Sequence, residues 1–187
     1  NNCTDNTVPI AKKYPVRIIR EEKQGIIFAR NAGFENAKAN ILARCDADVI
    51  VPKDWVKKIS DNFAKKNINA LTGPAYFYDF FLAKQTILPF FLYHYILRII
   101  LGHHVLAGPN LALTKNVWEK IKNEVCDDDT LVHEDIDLSL HIHKYGEIQL
   151  DPSFVVKVSG RRVYNNPMSF FIEYPLRLIK TIKTHKV

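Results

Sequence analysis

The stretch Ile41-Leu42-Ala43-Arg44-Cys45-Asp46-Ala47-Asp48-Val49-Ile50-Val51-Pro52-Lys53-Asp54-Trp55 decides how the chain is read. Ile41–Cys45 is a largely apolar run of strand length, and two carboxylates follow it at alternate positions. Pro52 and Asp54 are helix-start residues, and Trp55, Ile59 and Phe63 then recur at helical spacing to about Lys66. A strand that ends in Asp46-Ala47-Asp48 and feeds a helix is one unit of an α/β layer, and in open α/β sheets ligands sit beyond the carboxyl ends of strands. There Asp46 and Asp48 can share a hard divalent cation such as Mg2+ or Mn2+, which prefers oxygen and often bridges substrate phosphates. A solvated turn with a helix-capping aspartate would explain a bare D-x-D as well. The strand before it and the Pro-Lys-Asp-Trp after it favour the cation.

Upstream, Asp5, Asn6 or Thr7 caps a short helix that runs to Lys13 and is ended by Tyr14-Pro15. Val16–Arg20 reads as a short strand. Gly25–Ala39 reads as a helix whose Ala29, Ala32, Gly33 and Ala37 allow close packing, and whose Arg30 can reach a phosphate or remain a surface residue. Downstream, Asn69–Pro74 is a further strand. From Tyr76 to Leu106 the pattern breaks into a Phe-, Leu-, Ile- and Tyr-rich segment. Its densest part, Ile87–Leu101, contains Pro89, His94 and Arg98 and is too short for the roughly 20 apolar residues of a spanning helix. It is either a buried core helix or one lying in a membrane interface. The α/β pattern resumes with a strand at Ala107–Leu113, a helix capped by Thr114 at Lys115–Lys122 and an acidic loop at Cys126–Thr130. A helix at His133–Tyr145 stopped by Gly146, and a strand at Val155–Ser159, follow. After Pro175, Leu176, Leu178, Ile179 and Ile182 oppose Arg177, Lys180, Lys183 and Lys186 in a short basic amphipathic helix. Strand following helix in this way implies an α/β fold with a mostly parallel sheet.

The 187 residues suffice for one domain with a real core, and 47% hydrophobic against 25% charged residues excludes a disordered or collagenous chain. Cys3, Cys45 and Cys126 form no CxxC pair, which argues against a disulfide framework and for a reducing compartment. The net charge of +6 is local: Lys157, Arg161, Arg162, Arg177, Lys180, Lys183 and Lys186 face only Glu173, while residues 1–156 balance 19 basic against 19 acidic side chains. A basic tail fits anionic lipid or phosphate. Its separation from the aromatic block argues against nucleic acid. No GxxxxGK[ST] loop or GxGxxG turn points to a P-loop or dinucleotide fold.

Four further groups can carry chemistry. Glu134-Asp135 stands at a helix start, where capping is a sufficient explanation, and where Asp135 can also act as a general base. Ser159-Gly160-Arg161-Arg162 places two guanidiniums after a glycine turn, suited to a diphosphate or to a lipid surface. Gly108-Pro109-Asn110 interrupts an apolar run. His103-His104 has no Cys or carboxylate at ligand spacing and reads as structural or acceptor-side.

In this order the motifs resemble the family 2 glycosyltransferases of the GT-A fold: Asp5-Asn6-Thr7, then Gly25 with Arg30-Asn31 and Gly33, then Asp46-Ala47-Asp48. Pro52-Lys53-Asp54-Trp55, an apolar insert, Gly108-Pro109-Asn110 and Glu134-Asp135-Ile136-Asp137-Leu138 complete the series. The resemblance covers Asn2 to about Arg162 and extends to the membrane-associated members that build surface polysaccharides or glycolipids. It implies an inverting, metal-dependent hexosyltransferase that moves a sugar from a nucleotide-sugar donor to a saccharide or lipid-linked acceptor. Asp48 would hold the Mg2+ or Mn2+ with Asp46 in its shell. Asp5, Arg30, Asp46, Arg161 and Arg162 would face the donor, Gly108, Asn110 and Glu134 the acceptor side, and Asp135 would be the base. His141 stands where the family often has an arginine, and Val158-Ser159 where many members have a histidine. Against that pattern the chain is expected to lack an N-terminal strand-helix-strand. Residues 1–162, with the insert at 76–106, would form the partial GT-A-like domain, and residues 163–187 a basic amphipathic segment. The expected location is the cytoplasmic face of a membrane, as a peripheral protein. The rival from another class is a non-catalytic relic that binds a membrane surface or acidic partner.

Overall fold

A computed structural model describes residues 1–80, 86–128 and 130–185. The helices are α1 (Thr7–Ala11), α2 (Ile26–Asn36), α3 (Trp55–Lys65), α4 (Leu88–Leu101), α5 (Lys115–Ile121), α6 (Glu134–His143), α7 (Arg161–Asn165) and α8 (Tyr174–His185). The strands are β1 (Ile41–Arg44), β2 (Ala70–Thr72), β3 (Ala75–Phe77), β4 (Leu111–Thr114), β5 (Ile148–Leu150) and β6 (Val156–Val158). A π-helical turn, Ser169–Glu173, leads into α8.

The main sheet has the order β1-β4-β2-β5, and β3 pairs with β6 in a second, parallel ribbon. β1, β2 and β5 run in one direction, with β2 and β5 directly parallel. β4 runs against them from its place between β1 and β2, so two of the three pairings in this sheet are antiparallel. The mostly parallel sheet expected from the sequence therefore holds for strand direction and not for pairing. The cause is the insert: the chain passes through α4 and re-enters the sheet at its carboxyl end, so β4 must run backwards.

Alternation along the central strands divides the core. Leu111 and Leu113 of β4 join Leu42, Ala70 and Ile148 on one face, against Phe34 of α2, Val117, Trp118 and Ile121 of α5, and Leu138 and Ile142 of α6. Ala112 and Leu71 face the other way, to Ile59 of α3 and Phe154. Both faces are covered, which explains the unbroken apolar sequence of β4. A third cluster lies beside the sheet, where Leu97 and Leu101 of α4, Ile136 and Leu140 of α6 and Leu178 and Ile182 of α8 meet. Ile87–Leu101 is thus a core helix along one side only.

Several local expectations change. Val16–Arg20 is extended and exposed but not a strand, because no described strand lies beside it to pair with. The strand expected at Ala107–Leu113 begins at Leu111, since Ala107–Asn110 closes on itself through an Asn110 N–H to Ala107 carbonyl bond of 2.9 Å. Thr114 does cap α5, its hydroxyl accepting the Val117 N–H at 3.2 Å. Gly146 follows α6 for a reason other than a left-handed cap: a Cβ there would lie 1.7 Å from Asn69 Oδ1. Gly102 is the left-handed cap, at φ +79°, that closes α4.

Candidate active site

The carboxyl end of β1 and the start of β4 meet in register, with Arg44 opposite Leu111. This brings Asp46, the Ala107–Asn110 turn and the first turn of α6 to one end of the sheet. Arg44, Asp46 and Asp48 alternate along the chain. Arg44 reaches Asp46 at 3.1 Å and Glu134 at 2.5 Å. Glu134 spends its other oxygen on Arg30 at 2.7 Å, and Arg30 is only 1% exposed. The rest of the Arg30 guanidinium is held by Asn31 Oδ1 and the Glu134 carbonyl. Burial pulls Arg30 below its ordinary value even with Glu134 opposing. For Arg44 burial acts in the same direction, but the charges of Glu134 and Asp46 outweigh it and raise the group.

Asp135, the next residue, makes different contacts. Its Oδ2 accepts the Gly108 N–H at 3.0 Å, its Oδ1 accepts the Ile136 N–H at 2.9 Å, and His133 Nδ1 is 3.7 Å away. Burial raises the Asp135 carboxyl, but His133, the Gly108 N–H and Arg44 together hold it below the ordinary 3.8. It is therefore ionised at neutral pH. A Cβ on Gly108 would stand 3.5 Å from each of Arg44, Glu134 and Asp135, so three side chains converge on this glycine. His94 of α4 lies close enough to feel Asp135, and burial pushes it down to about 4. Its Nδ1 is buried without a hydrogen-bond partner among the described residues.

The second carboxylate is placed by a different contact. Ile50 and Lys157 exchange both backbone hydrogen bonds, at 2.9 and 3.1 Å, in an antiparallel bridge. That register brings Asp48 beside the Ser159–Arg161 turn, and Arg161 pairs with it at 2.9 Å. Asp79 fixes the turn by accepting the Gly160 N–H and the Ser159 hydroxyl, which hold its carboxyl below the ordinary range. Asp46 and Asp48 remain 39% and 32% exposed, and Arg161 67%. Two half-exposed carboxylates, with an exposed guanidinium beside one of them, fit a hard cation and its phosphate ligand.

The structure thus brings together Asp46, Asp48, Arg161, Gly108, Glu134 and Asp135. It does not place the remaining expected residues in that group. Arg30 is buried in its ion pair rather than turned toward a donor. Asn110 is fully buried, taking the Trp55 indole N–H at 2.9 Å and donating to the Phe154 carbonyl at 2.6 Å, so it ties α3 and the 151–155 loop to the sheet rather than facing an acceptor. Glu134, although part of the group, is enclosed by two arginines and does not face an acceptor. Arg162 lies on Tyr174, its guanidinium 5.5 Å from the ring centre. Asp5 is exposed and caps the Thr7 N–H at 3.0 Å. Arg44, His133 and Asp79 were missed by sequence reasoning. Arg44 had a signal, its alternation with Asp46 and Asp48, whereas Asp79 depends on a contact 81 residues along the chain.

A family model described as glycosyl transferase family 2 matches residues 1–121. The solved structure of mannosyltransferase PcManGT from Pyrobaculum calidifontis, in complex with GDP-Man and Mn2+, is similar over 99% of this chain. The TM-score is 0.73 at 16% identity, and this chain covers 52% of that one. At that identity the likeness is one of fold, and it establishes the α/β GT-A architecture. The chain spans about half the length of that structure. No curated protein matches the sequence.

Two outcomes follow from the geometry. Glu134→Ala strands two buried guanidiniums and should cost about 3–5 kcal/mol in denaturant unfolding. His94 has an ordinary value of 6.5 but a folded value of about 4. Between those pH values the unfolded chain takes up a proton that the folded one refuses, so stability falls as pH drops through that window. The melting temperature of His94→Phe should lack that part of the decline, and parallel curves for the two proteins from pH 7 to 4 would contradict it.

Proposed function

The chain belongs to glycosyl transferase family 2, and on that premise we propose that it moves a sugar from a nucleotide-sugar donor to a hydroxyl of a saccharide or lipid-linked acceptor, with inversion. The observation that carries this reading is the meeting of Asp46 and Asp135 at one sheet end around the Arg44–Glu134 pair and Gly108, with Asp48 two residues beyond Asp46 and paired with Arg161. The donor class is supported by the GDP-Man and Mn2+ of the similar structure.

In this reading Asp48 and Asp46 hold the cation, which when bound neutralises charge on the departing diphosphate. Arg161 exchanges its Asp48 contact for a phosphate oxygen. Asp135 Oδ2 keeps one lone-pair direction beyond the Gly108 N–H bond, whereas Oδ1 takes the Ile136 N–H and faces His133, and Oδ2 removes the acceptor hydroxyl proton. The acceptor oxygen bonds the anomeric carbon as the bond to the diphosphate oxygen breaks, and the proton ends on Asp135. Arg30, Arg44 and Glu134 position the α6 turn that carries this base.

The same reading places the protein on a membrane surface. Leu88, Leu92, Tyr95, Ile96, Ile99 and Ile100 of α4 are exposed on the face opposite Leu97 and Leu101. Leu176 and Ile179 of α8 are exposed too, beside Arg177, Lys180 and Lys183. Among the described residues no helix is long and apolar enough to cross a membrane. An apolar face plus basic residues supplies two attachment signals, the latter worth about 1 kcal/mol per residue at an anionic surface.

Thermal stabilisation by a panel of nucleoside diphosphate sugars with and without Mn2+ tests the donor site. A metal-dependent shift that is absent in Asp48→Asn is expected, and no shift with any donor would instead favour a non-catalytic binding module. Asp135→Asn should keep the shift while turnover falls about 10²–10⁴-fold; unchanged turnover would remove Asp135 from the reaction. Co-sedimentation at low salt should be strong with anionic vesicles and weak with neutral ones, and should be reduced by Leu92→Glu with Ile99→Glu. Failure to sediment with either, or equal binding by the variant, would end the membrane reading.

A further inference from the structure

Away from the sheet end, Asp137 and His141 lie one turn apart on α6, and His185 reaches them from the last turn of α8. His185 Nε2 is 3.0 Å from Asp137 Oδ1, His141 Nε2 is 3.6 Å from the same oxygen, and the two ring nitrogens are 3.2 Å apart. Ligands on a tetrahedral ion at about 2.0–2.1 Å lie about 3.3 Å from one another. The three atoms already stand near that spacing.

Their outer contacts decide which way the lone pairs face. His185 Nδ1 is 2.9 Å from the Thr181 carbonyl, which can only accept, so this nitrogen carries the proton and Nε2 presents a lone pair. His141 Nδ1 is 3.3 Å from Glu124 Oε2, which assigns its proton in the same sense. Lys144 Nζ stands 3.4 Å from that nitrogen and 3.7 Å from the same carboxylate, whose charge it shares. Asp137 Oδ2 accepts the Cys126 N–H at 3.0 Å, which fixes the carboxylate and turns Oδ1 inward. Oδ1 has no hydrogen-bond partner among the described residues, and the side chain is 1% exposed. Three acceptors thus point at one buried spot with no donor between them. A centre of positive charge is what such a spot requires.

We infer that Asp137, His141 and His185 form a second cation site, of zinc-type nitrogen and oxygen chemistry, that fastens α8 to α6. Two imidazoles and one carboxylate suit Zn2+ and its neighbours better than the oxygen-seeking Mg2+ or Mn2+. The outer partners of both histidines, a carboxylate and a carbonyl, are those that orient metal-bound imidazoles. Three protein ligands leave a fourth corner without a protein ligand among the described residues. The site joins elements that otherwise meet through Ile136, Leu140, Leu178 and Ile182 and through the Thr181 hydroxyl, which accepts the His133 N–H at 2.8 Å. It shares no residue with Asp46, Asp48 or Asp135, so it stands or falls independently of the transfer reaction.

The test uses the chain without an affinity tag, dialysed against Zn2+ and then metal-free buffer, with zinc measured by elemental analysis. One equivalent is expected in the wild type and in Asp48→Asn, with affinity at least about tenfold weaker in His141→Gln and His185→Gln. Co2+ in place of Zn2+ should give the visible absorption of a tetrahedral site in the wild type and not in His185→Gln. His185 stands on the last turn of α8 and not on α6, so that variant reads the site even where a change on α6 prevents folding. Zn2+ should also raise the melting temperature of the wild type more than that of His185→Gln. Substoichiometric zinc in the wild type, or equal binding by His185→Gln, would overturn the proposal and leave a shared proton as the positive centre.

Discussion

The buried chain of charge from Arg30 through Glu134 to Arg44 is the constraint on which the site depends. It joins α2, α6 and β1 at this end of the sheet. Removing these groups from water costs several kcal/mol per ion, and only close mutual pairing offsets that. The geometry it enforces is narrow. Both oxygens of Glu134 are taken at 2.7 and 2.5 Å, which fixes the first turn of α6 against the end of β1. Asp135, turned about 100° further round the helix, is then the carboxylate left facing the open side. Two adjacent acids have different environments: one is enclosed by guanidiniums, and the other is held by backbone N–H groups and kept ionised.

α6 is accordingly buried on most of its circumference. Leu138 and Ile142 face the sheet, Ile136 and Leu140 face α4 and α8, and Asp137 and His141 face the end of α8. Of its residues only Asp135 and His143 are not buried. The chemistry proposed for the chain is placed at the first of these. The apolar insert serves the same arrangement. Its inner residues Leu97 and Leu101 complete the cover of α6, and its outer residues are exposed.

A small number of backbone contacts set the remaining distances. The Ile50–Lys157 bridge places Arg161 beside Asp48, and the Asp79 carboxylate shapes the turn that carries it. The Ala107–Asn110 turn presents Gly108 to Asp135 because Asn110 is anchored on both sides, by Trp55 and by Phe154. Asn110 and Phe154 act through position, since both are fully buried.

Local pattern alone determined the α/β alternation, the strand before Asp46-Ala47-Asp48, the helix starts at Trp55, Lys115 and Glu134, and the half-apolar character of α4. Each follows from periodicity or capping within a few residues, which a linear reading can see. The motif order pointed to glycosyl transferase family 2, and Asp46, Asp48, Gly108 and Asp135 do gather at one end of the sheet. Tertiary structure decided the rest. The reversal of β4, the loss of a strand at Val16–Arg20, the burial of Arg30 and Asn110 and the pairing of Arg161 with Asp48 all depend on partners far along the chain. The same holds for His185, which meets Asp137 and His141 only because α8 packs against α6. Residue type states what a side chain can bind, but desolvation and the nearest opposite charge decide what it does bind, and only the folded chain sets these.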